Sequence, residues 1–246
     1  MRPVLRISSK RWAVRLSGDM IDLREATELF GVGPQTVCDQ VLPEEESVVL
    51  QADEFESLKD ATEVHDAAER ILVAVNAVLY LDDPARKELS IASIHQRGPN
   101  GGWSIAIFPK SASYRFRGAK ARGQAGSLGD SPSPTPQSTW LQTGLNEEAV
   151  SDALSYLRGT PDWIALYKVY EVINRDVVAL KSTKGVVPGW PSQTQINSFK
   201  RSAQLHRHSK SHCEKTGIAS AGAMTFDAAS ALVRSTMKTW LEWRSA

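Results

Sequence analysis

The stretch Thr160–Val177, TPDWIALYKVYEVINRDV, decides how the second half of the chain folds. Thr160-Pro161-Asp162 reads as a helix start: a hydroxyl cap, proline in the first helical position, and an acid at the positive end of the helix dipole. Trp163, Leu166, Tyr167, Tyr170, Ile173 and Val177 then recur at spacings of three and four and define one face, which Ile164, Val169 and Val172 widen. A helix with so broad an apolar stripe is packed on more than one side, as the central helix of a bundle is. Among its polar residues are Glu171, Arg175 and Asp176; Glu171 and Arg175 are spaced as an i,i+4 surface pair or as two groups lining a site.

Working outward, everything from Gly144 on reads as helix. Asn146 is expected to cap a helix whose first turn holds Glu147 and Glu148, with Val150, Ala153, Leu154 and Leu157 inward and Gly159 ending it. After the central helix, Lys181–Trp190 (KSTKGVVPGW) is expected to be a loop. Ser192-Gln193-Thr194-Gln195 reads as a capping box that opens a third helix. The last helix is expected from about Thr225 to Arg244, with Phe226, Ala229, Leu232, Val233, Met237, Trp240 and Leu241 inward and Lys238 and Arg244 near its negative end. Four helices with short connections predict an antiparallel four-helix bundle over residues 144–246.

The chemistry concentrates in Pro191–Lys215, PSQTQINSFKRSAQLHRHSKSHCEK, which holds three of the chain's five histidines among Lys200, Arg201, Arg207, Lys210 and Lys215, with Glu214 the only acid. Imidazole moves protons near neutral pH and guanidinium neutralises a developing phosphate charge, so this composition suits phosphodiester chemistry or phosphate binding; the plainer reading is a solvated basic face. On a helix wheel Ile196, Phe199 and Ala203 define the core side. His206 continues that side and reads as a packed, hydrogen-bonded histidine, whereas Arg201, His208 and His212 fall within about 40° of one another on the opposite face. Arg207 and His212 lie about 140° apart unless the helix breaks or two chains meet. His206, His208, His212 and Cys213 are also zinc-ligand types, and His208 with His212 has i,i+4 spacing, but their faces differ and no Asp or second Cys completes a set, so no metal or other cofactor is expected.

Arg207-His208-Ser209-Lys210-Ser211-His212 resembles the R-x(4–6)-H signature of the HEPN superfamily, small all-helical domains many of which are metal-independent ribonucleases. Arg201 to His206 and Arg201 to His208 also fit the spacing, although Ser202 stands where that family usually has Asn, Asp or His. The resemblance covers about the last hundred residues. It implies an endoribonuclease whose catalytic residues are Arg207 and His212, with His208 and Arg201 beside them, acting on RNA as a homodimer with the motif at the interface. It also implies a place in toxin–antitoxin or phage-defence systems. The alternative it allows is a non-catalytic RNA-binding or protein-interaction module on the same helical frame.

Residues 1–117 are expected to form a mixed α+β domain of another kind, with a protein partner as its possible role. Lys10–Leu16 alternates Trp12, Val14 and Leu16 against Arg11, Ala13 and Arg15, the period of a half-buried strand. Leu23–Phe30 reads as a short helix and Val48–Gln51 as a short strand. Asp60-Ala61-Thr62-Glu63 reads as a capping box, followed by Val64, Ala67, Ala68, Ile71, Leu72, Val75 and Leu79 on one face against a sheet. Leu89–His95 and Trp103–Phe108 flank Gly98-Pro99-Asn100-Gly101-Gly102 as a hairpin. His65 and His95 have no partner suggested by spacing, and Asn76, among the apolar residues of the long helix, reads as a buried, hydrogen-bonded asparagine. Arg115, Arg117, Lys120 and Arg122 are a basic run beside the linker, residues 118–143, whose Gly, Ser, Pro and Thr content predicts flexibility, with Trp140 and Leu141 as exceptions expected to dock on the domain that follows.

Composition limits the field acting on partners. The 246 residues carry 29 basic and 28 acidic side chains, a net charge of +1, so any polyanion site is local. Cys38 and Cys213 are too few for a disulfide framework and fit a reducing compartment. MRPVLRISSKRW lacks the apolar core of a signal peptide, and no apolar run approaches the ~20 residues of a membrane span, so a cytoplasmic protein with no membrane partner is expected.

Overall fold

The computed structural model describes residues 10–42, 46–107, 134–207 and 222–245. It is mixed α+β: one five-stranded antiparallel sheet and, among the described residues, seven α-helices and a short 3-10 turn. By contacts the chain divides into two units, one of residues up to Leu72 with Arg86–Ser138, the other of Val73–Ala85 with Thr139 onward.

In the first unit the strands are β1 (Trp12–Ser17), β2 (Gln35–Val41), β3 (Glu46–Ala52), β4 (Ser90–Arg97) and β5 (Trp103–Ala106), in the spatial order β2-β3-β1-β4-β5. The alternation of Trp12, Val14 and Leu16 does form the central strand, pairing Val14 with Leu50 on one side and with Ile94 on the other. Both its faces are covered rather than one. Ala13 is fully buried and clusters with Leu42 and Val49, against which Cys38 and Trp103 pack. Strand β2 was not expected; its Thr, Cys, Asp and Gln give a weak apolar period, and it forms because β3 supplies seven paired positions. The β4–β5 hairpin follows the expectation, closed by Gly98 N–H donating to Gly102 O at 2.7 Å, with Gly101 at φ +77°, where a side chain would be strained.

Helix α1 (Met20–Phe30) begins three residues before the expected Leu23, because Asp19 caps it: its Oδ1 accepts from Ile21 N–H at 3.0 Å. Helix α2 (Ala61–Asp82) starts with its box shifted by one residue. Asp60 Oδ1 accepts from the backbone of Thr62 and Glu63, and Glu63 reaches back to Lys59 N–H at 2.7 Å rather than to Asp60. The expectation that α2 lies wholly against the sheet is corrected. From Val73 on it belongs to the helical unit, where Tyr80 hydrogen-bonds Ser230 and Asp82 pairs with Lys238 at 2.6 Å.

The second unit also holds α3 (Pro136–Asn146) from Thr139 on, α4 (Glu148–Ser155), α5 (Trp163–Lys184), α6 (Gln193–Arg207) and α7 (Phe226–Ser245). Helix α5 is central, packing against α4, α6 and α7. Several expected boundaries move. Residues 136–143, expected as linker, are helix, because Trp140 and Leu141 are buried and anchor α3. Asn146 closes α3, its Nδ2 donating to Gln142 O, and Glu147 precedes α4 in its place. The cap of α5 is Asp162, whose Oδ1 accepts from Ala165 N–H at 2.8 Å, so Thr160 and Pro161 stand outside the helix. Lys181–Lys184 extend α5 to Gly185, at φ +77°, instead of opening a loop. The linker residues 118–133 and the basic run Arg115–Arg122 lie outside the described residues.

Candidate functional site

Helix α6 carries the described part of the candidate site. Its capping box is formed as expected: Ser192 N–H donates to Gln195 Oε1 at 2.9 Å and Gln195 N–H returns to Ser192 Oγ at 3.3 Å. Ile196, Phe199 and Ala203 are buried as the wheel requires. Phe199 meets Tyr170 and Tyr167 of α5, with ring centroids 5.6 and 6.3 Å apart, and Lys200 Nζ sits 5.2 Å from the Tyr170 ring centre.

Ser202, which stands where the resembled motif usually has a larger polar residue, is fully buried. Its hydroxyl donates to Ser198 O at 2.9 Å and accepts from Met224 N–H at 2.6 Å, tying α6 to the segment that leads into α7. Beside it Ser198 Oγ donates to Gly222 O, and the Arg201 guanidinium lies 3.8 Å from where a Cβ on Gly222 would be. Arg201 itself is exposed.

His206 corrects the sequence reading. It is exposed instead of packed in the core, and its ring lies flat on the Trp163 indole, centroids 4.6 Å apart and 6° from parallel. Phe226 completes the cluster edge-on to Trp163 at 5.5 Å and 78°. Trp163 and Phe226 are the first residues of α5 and α7, and His206 is in the last turn of α6, so three helix ends converge on these rings. On α6, unbroken from Gln193 to Arg207, Arg201 and His206 lie about 140° apart and face different ways. Arg207 is the last described residue of α6, its side chain outside the description; His208 and His212 lie outside the described residues, as does Cys213. Among the described residues no three His, Cys, Asp or Glu side chains gather as a metal site.

The pair expected between Glu171 and Arg175 is replaced by one between Glu171 and Lys168 at 3.8 Å, with both side chains nearly half exposed, a weak surface interaction. The stronger group was missed. Arg244 Nη1 donates to both oxygens of Asp176 at 2.9 and 3.1 Å, its Nη2 contacts Glu147, and Trp240 Nε1 donates to Asp176 at 2.9 Å. Burial pushes the Asp176 carboxyl up, opposed by the Trp240 hydrogen bond and the charge of Arg175. Burial likewise lowers Arg244. The cluster joins α5, α7 and the residue before α4, a structural tie that sequence spacing of 64 and 68 residues does not reveal.

In the first unit, Ser93 Oγ and His95 Nε2 lie 2.8 Å apart on β4, both residues buried. Burial first, then the charge of Arg15, lowers the His95 pKa, so the ring is neutral at pH 7. His95 Nδ1 has no hydrogen-bond partner among the described residues, and Trp103 meets the ring edge-on at 6.3 Å. A serine and a histidine two apart on a strand share a face, which is the signal that could have found this pair. His65 sits 3.6 Å from Asp66. Burial and then Asp39 raise the Cys38 thiol pKa, opposed by a hydrogen bond from Thr36 and the charge of Lys10. Among the described residues no helix is long and apolar enough to cross a membrane. No protein family, curated protein or solved structure matches the chain.

Proposed function

We propose that the helical unit acts on RNA as a metal-independent endoribonuclease of HEPN type, its helices arranged around α5 as a HEPN-like bundle. The observation that carries the reading is α6 itself. From Gln193 to Arg207 it bears Lys200, Arg201, His206 and Arg207 and no acid, and the sequence beyond it adds His208, Lys210 and His212 before the first acid, Glu214. In this mechanism a neutral His212 takes the proton of a ribose 2′-OH, and the freed oxygen attacks the adjacent phosphorus. Arg207 stabilises the charge that builds on the phosphate oxygens. The bond to the 5′-oxygen breaks, that oxygen leaves with a proton returned by an imidazole, and the products are a 2′,3′-cyclic phosphate and a 5′-hydroxyl. The 2′-OH requirement makes RNA, and not DNA, the substrate. This reading requires Arg207 and His212 to act on one phosphate, within one chain or across a homodimer.

One observation favours the second reading, a non-catalytic RNA-binding module: the residue after Arg201 is committed to structure, with Ser202 held by Ser198 and Met224. A single assay separates the two. The full chain, in EDTA, is incubated with labelled RNA and the product ends are identified. The nuclease reading expects cyclic-phosphate ends that disappear in Arg207→Ala and in His212→Ala while the circular dichroism spectrum is kept. Intact RNA bound with salt-sensitive affinity establishes the module instead.

A further inference from the structure

We propose that the open edge of β5 takes the β5 of a second copy of this chain, antiparallel about a twofold axis with Ile105 opposite Ile105; the inference is independent of the RNA reading. Strand β5 ends the order β2-β3-β1-β4-β5 and, among the described residues, pairs with β4 alone. Two hydrogen bonds fix which of its backbone groups turn outward. Gly98 N–H donates to Gly102 O across the hairpin, and Arg97 N–H donates at 2.8 Å to Arg11 O, on the side of β4 away from β5. Bonded and unbonded pairs alternate along an antiparallel ladder, so Arg97–Trp103 and His95–Ile105 are unbonded pairs. The N–H and C=O of Trp103 and Ile105 therefore face away from β4, along the edge. Their side chains share one face of the sheet with that of Ile107, and Ile105 and Ile107 are 50% and 74% exposed.

What fits this edge is the same edge. Edges that stay unpaired are commonly guarded by charged side chains or proline, and residues 103–108, WSIAIF, contain neither. A twofold pairing sets a strand against itself, so a charge on it would lie close to its like; the neutral stretch has nothing to repel its copy. Centred on Ile105, the pairing sets Trp103 against the copy's Ile107, and all of these residues turn their backbone groups to the edge, ready to exchange N–H···O bonds. The same register gathers Trp103, Ile105 and Ile107 of both chains on one face, where the exposed isoleucines meet apolar neighbours. The opposite edge of the sheet is less suited. Strand β2 carries Asp39 near its middle, which twofold pairing would bring close to its like, and α1 packs beside it.

The test is sedimentation equilibrium of the full chain from about 1 to 100 µM, the range expected of a dimer held by a short strand pair. The wild type is expected to dimerise within it. Ile105→Lys and Ile105→Glu, at an exposed position, each set like charges opposite one another and are expected to weaken the dimer at least about 10-fold, with the circular dichroism spectrum kept. Mixing these two variants brings opposite charges face to face and is expected to restore a one-to-one heterodimer. Ile105→Pro removes an N–H that β4 does not use and is expected to weaken the dimer as well. If the charged variants lose their spectrum, Ile107→Lys at the more exposed position replaces them, with the same expected loss. A wild type that stays monomeric at 100 µM overturns the proposal. So does a dimer that survives these substitutions, even where the chain cleaves RNA, and so does a mixture of folded charge variants that stays monomeric.

Discussion

Replacing Arg244 by Met removes a guanidinium and keeps most of the side-chain volume, so the loss isolates charge and hydrogen bonding. The side chain is 14% exposed, and the Asp176 side chain that takes two of its contacts is 12% exposed. Removing one partner of a buried pair costs about 3 to 5 kcal/mol, because the other charge stays behind without its counter-charge. Trp240 still donates to Asp176, and Glu147, 39% exposed, can turn to water, so the lower end applies, about 3 kcal/mol. That corresponds to a melting-temperature drop of roughly 6 to 12 °C for a chain of this length. Urea unfolding followed by tryptophan fluorescence reads it. The same change in an Asp176→Asn background should cost no more than about 1 kcal/mol, since no buried charge is then stranded. At acid pH the penalty of Arg244→Met shrinks as well: Asp176, already pushed up by burial, rises further without the arginine and takes a proton on acidification. A loss under about 1 kcal/mol, or equal losses in the two backgrounds, would refute the clamp.

Two further expectations concern stability. His95 has its folded pKa lowered below the ordinary 6.5, so just below that value the unfolded chain holds more protons than the folded one. The stability from a neutral, buried His95 is therefore complete above about pH 6.5 and declines as the pH falls toward the folded pKa; the decline should be smaller in His95→Gln, read as urea midpoints between about pH 5 and 7.5. Ser202→Ala takes the acceptor from Met224 N–H, a half-buried residue beside the fully buried Ser202, and is expected to cost about 1 kcal/mol, with Ser202→Thr recovering part; thermal unfolding measures it, and a change under about 0.5 kcal/mol would remove the hydroxyl from the packing of α6.

What was legible in the sequence was what periodicity and local capping encode. The stripe from Trp163 onward is a 22-residue helix with Leu166, Val169, Tyr170, Val172 and Ile173 buried, and the Ser192–Gln195 box forms as written. The hairpin around Gly98–Gly102 follows from turn residues alone. Where two capping signals stood side by side, local reading chose wrongly: Asp162 outcompeted Thr160, because a carboxylate at the cap both accepts Ala165 N–H and meets the dipole. Strand β2 escaped because its partner, and not its own pattern, defines it. In the candidate site, residue types were legible and contacts were not. His206 stacks on a tryptophan 43 residues away, and Arg244 meets a carboxylate 68 away, pairings that only packing determines.

These contacts also narrow the chemistry of the proposal. Arg201 stands in two of the three motif framings, yet on an uninterrupted α6 His206 points away from it by about 140°, and Ser202 beside it is occupied by Ser198 and Met224. In a single copy, then, Arg201 and His206 do not gather on one phosphate, and the Arg201 to His206 framing does not supply an acid–base pair. His206 is instead stacked on Trp163. The proposed cleavage therefore rests on Arg207 with His212.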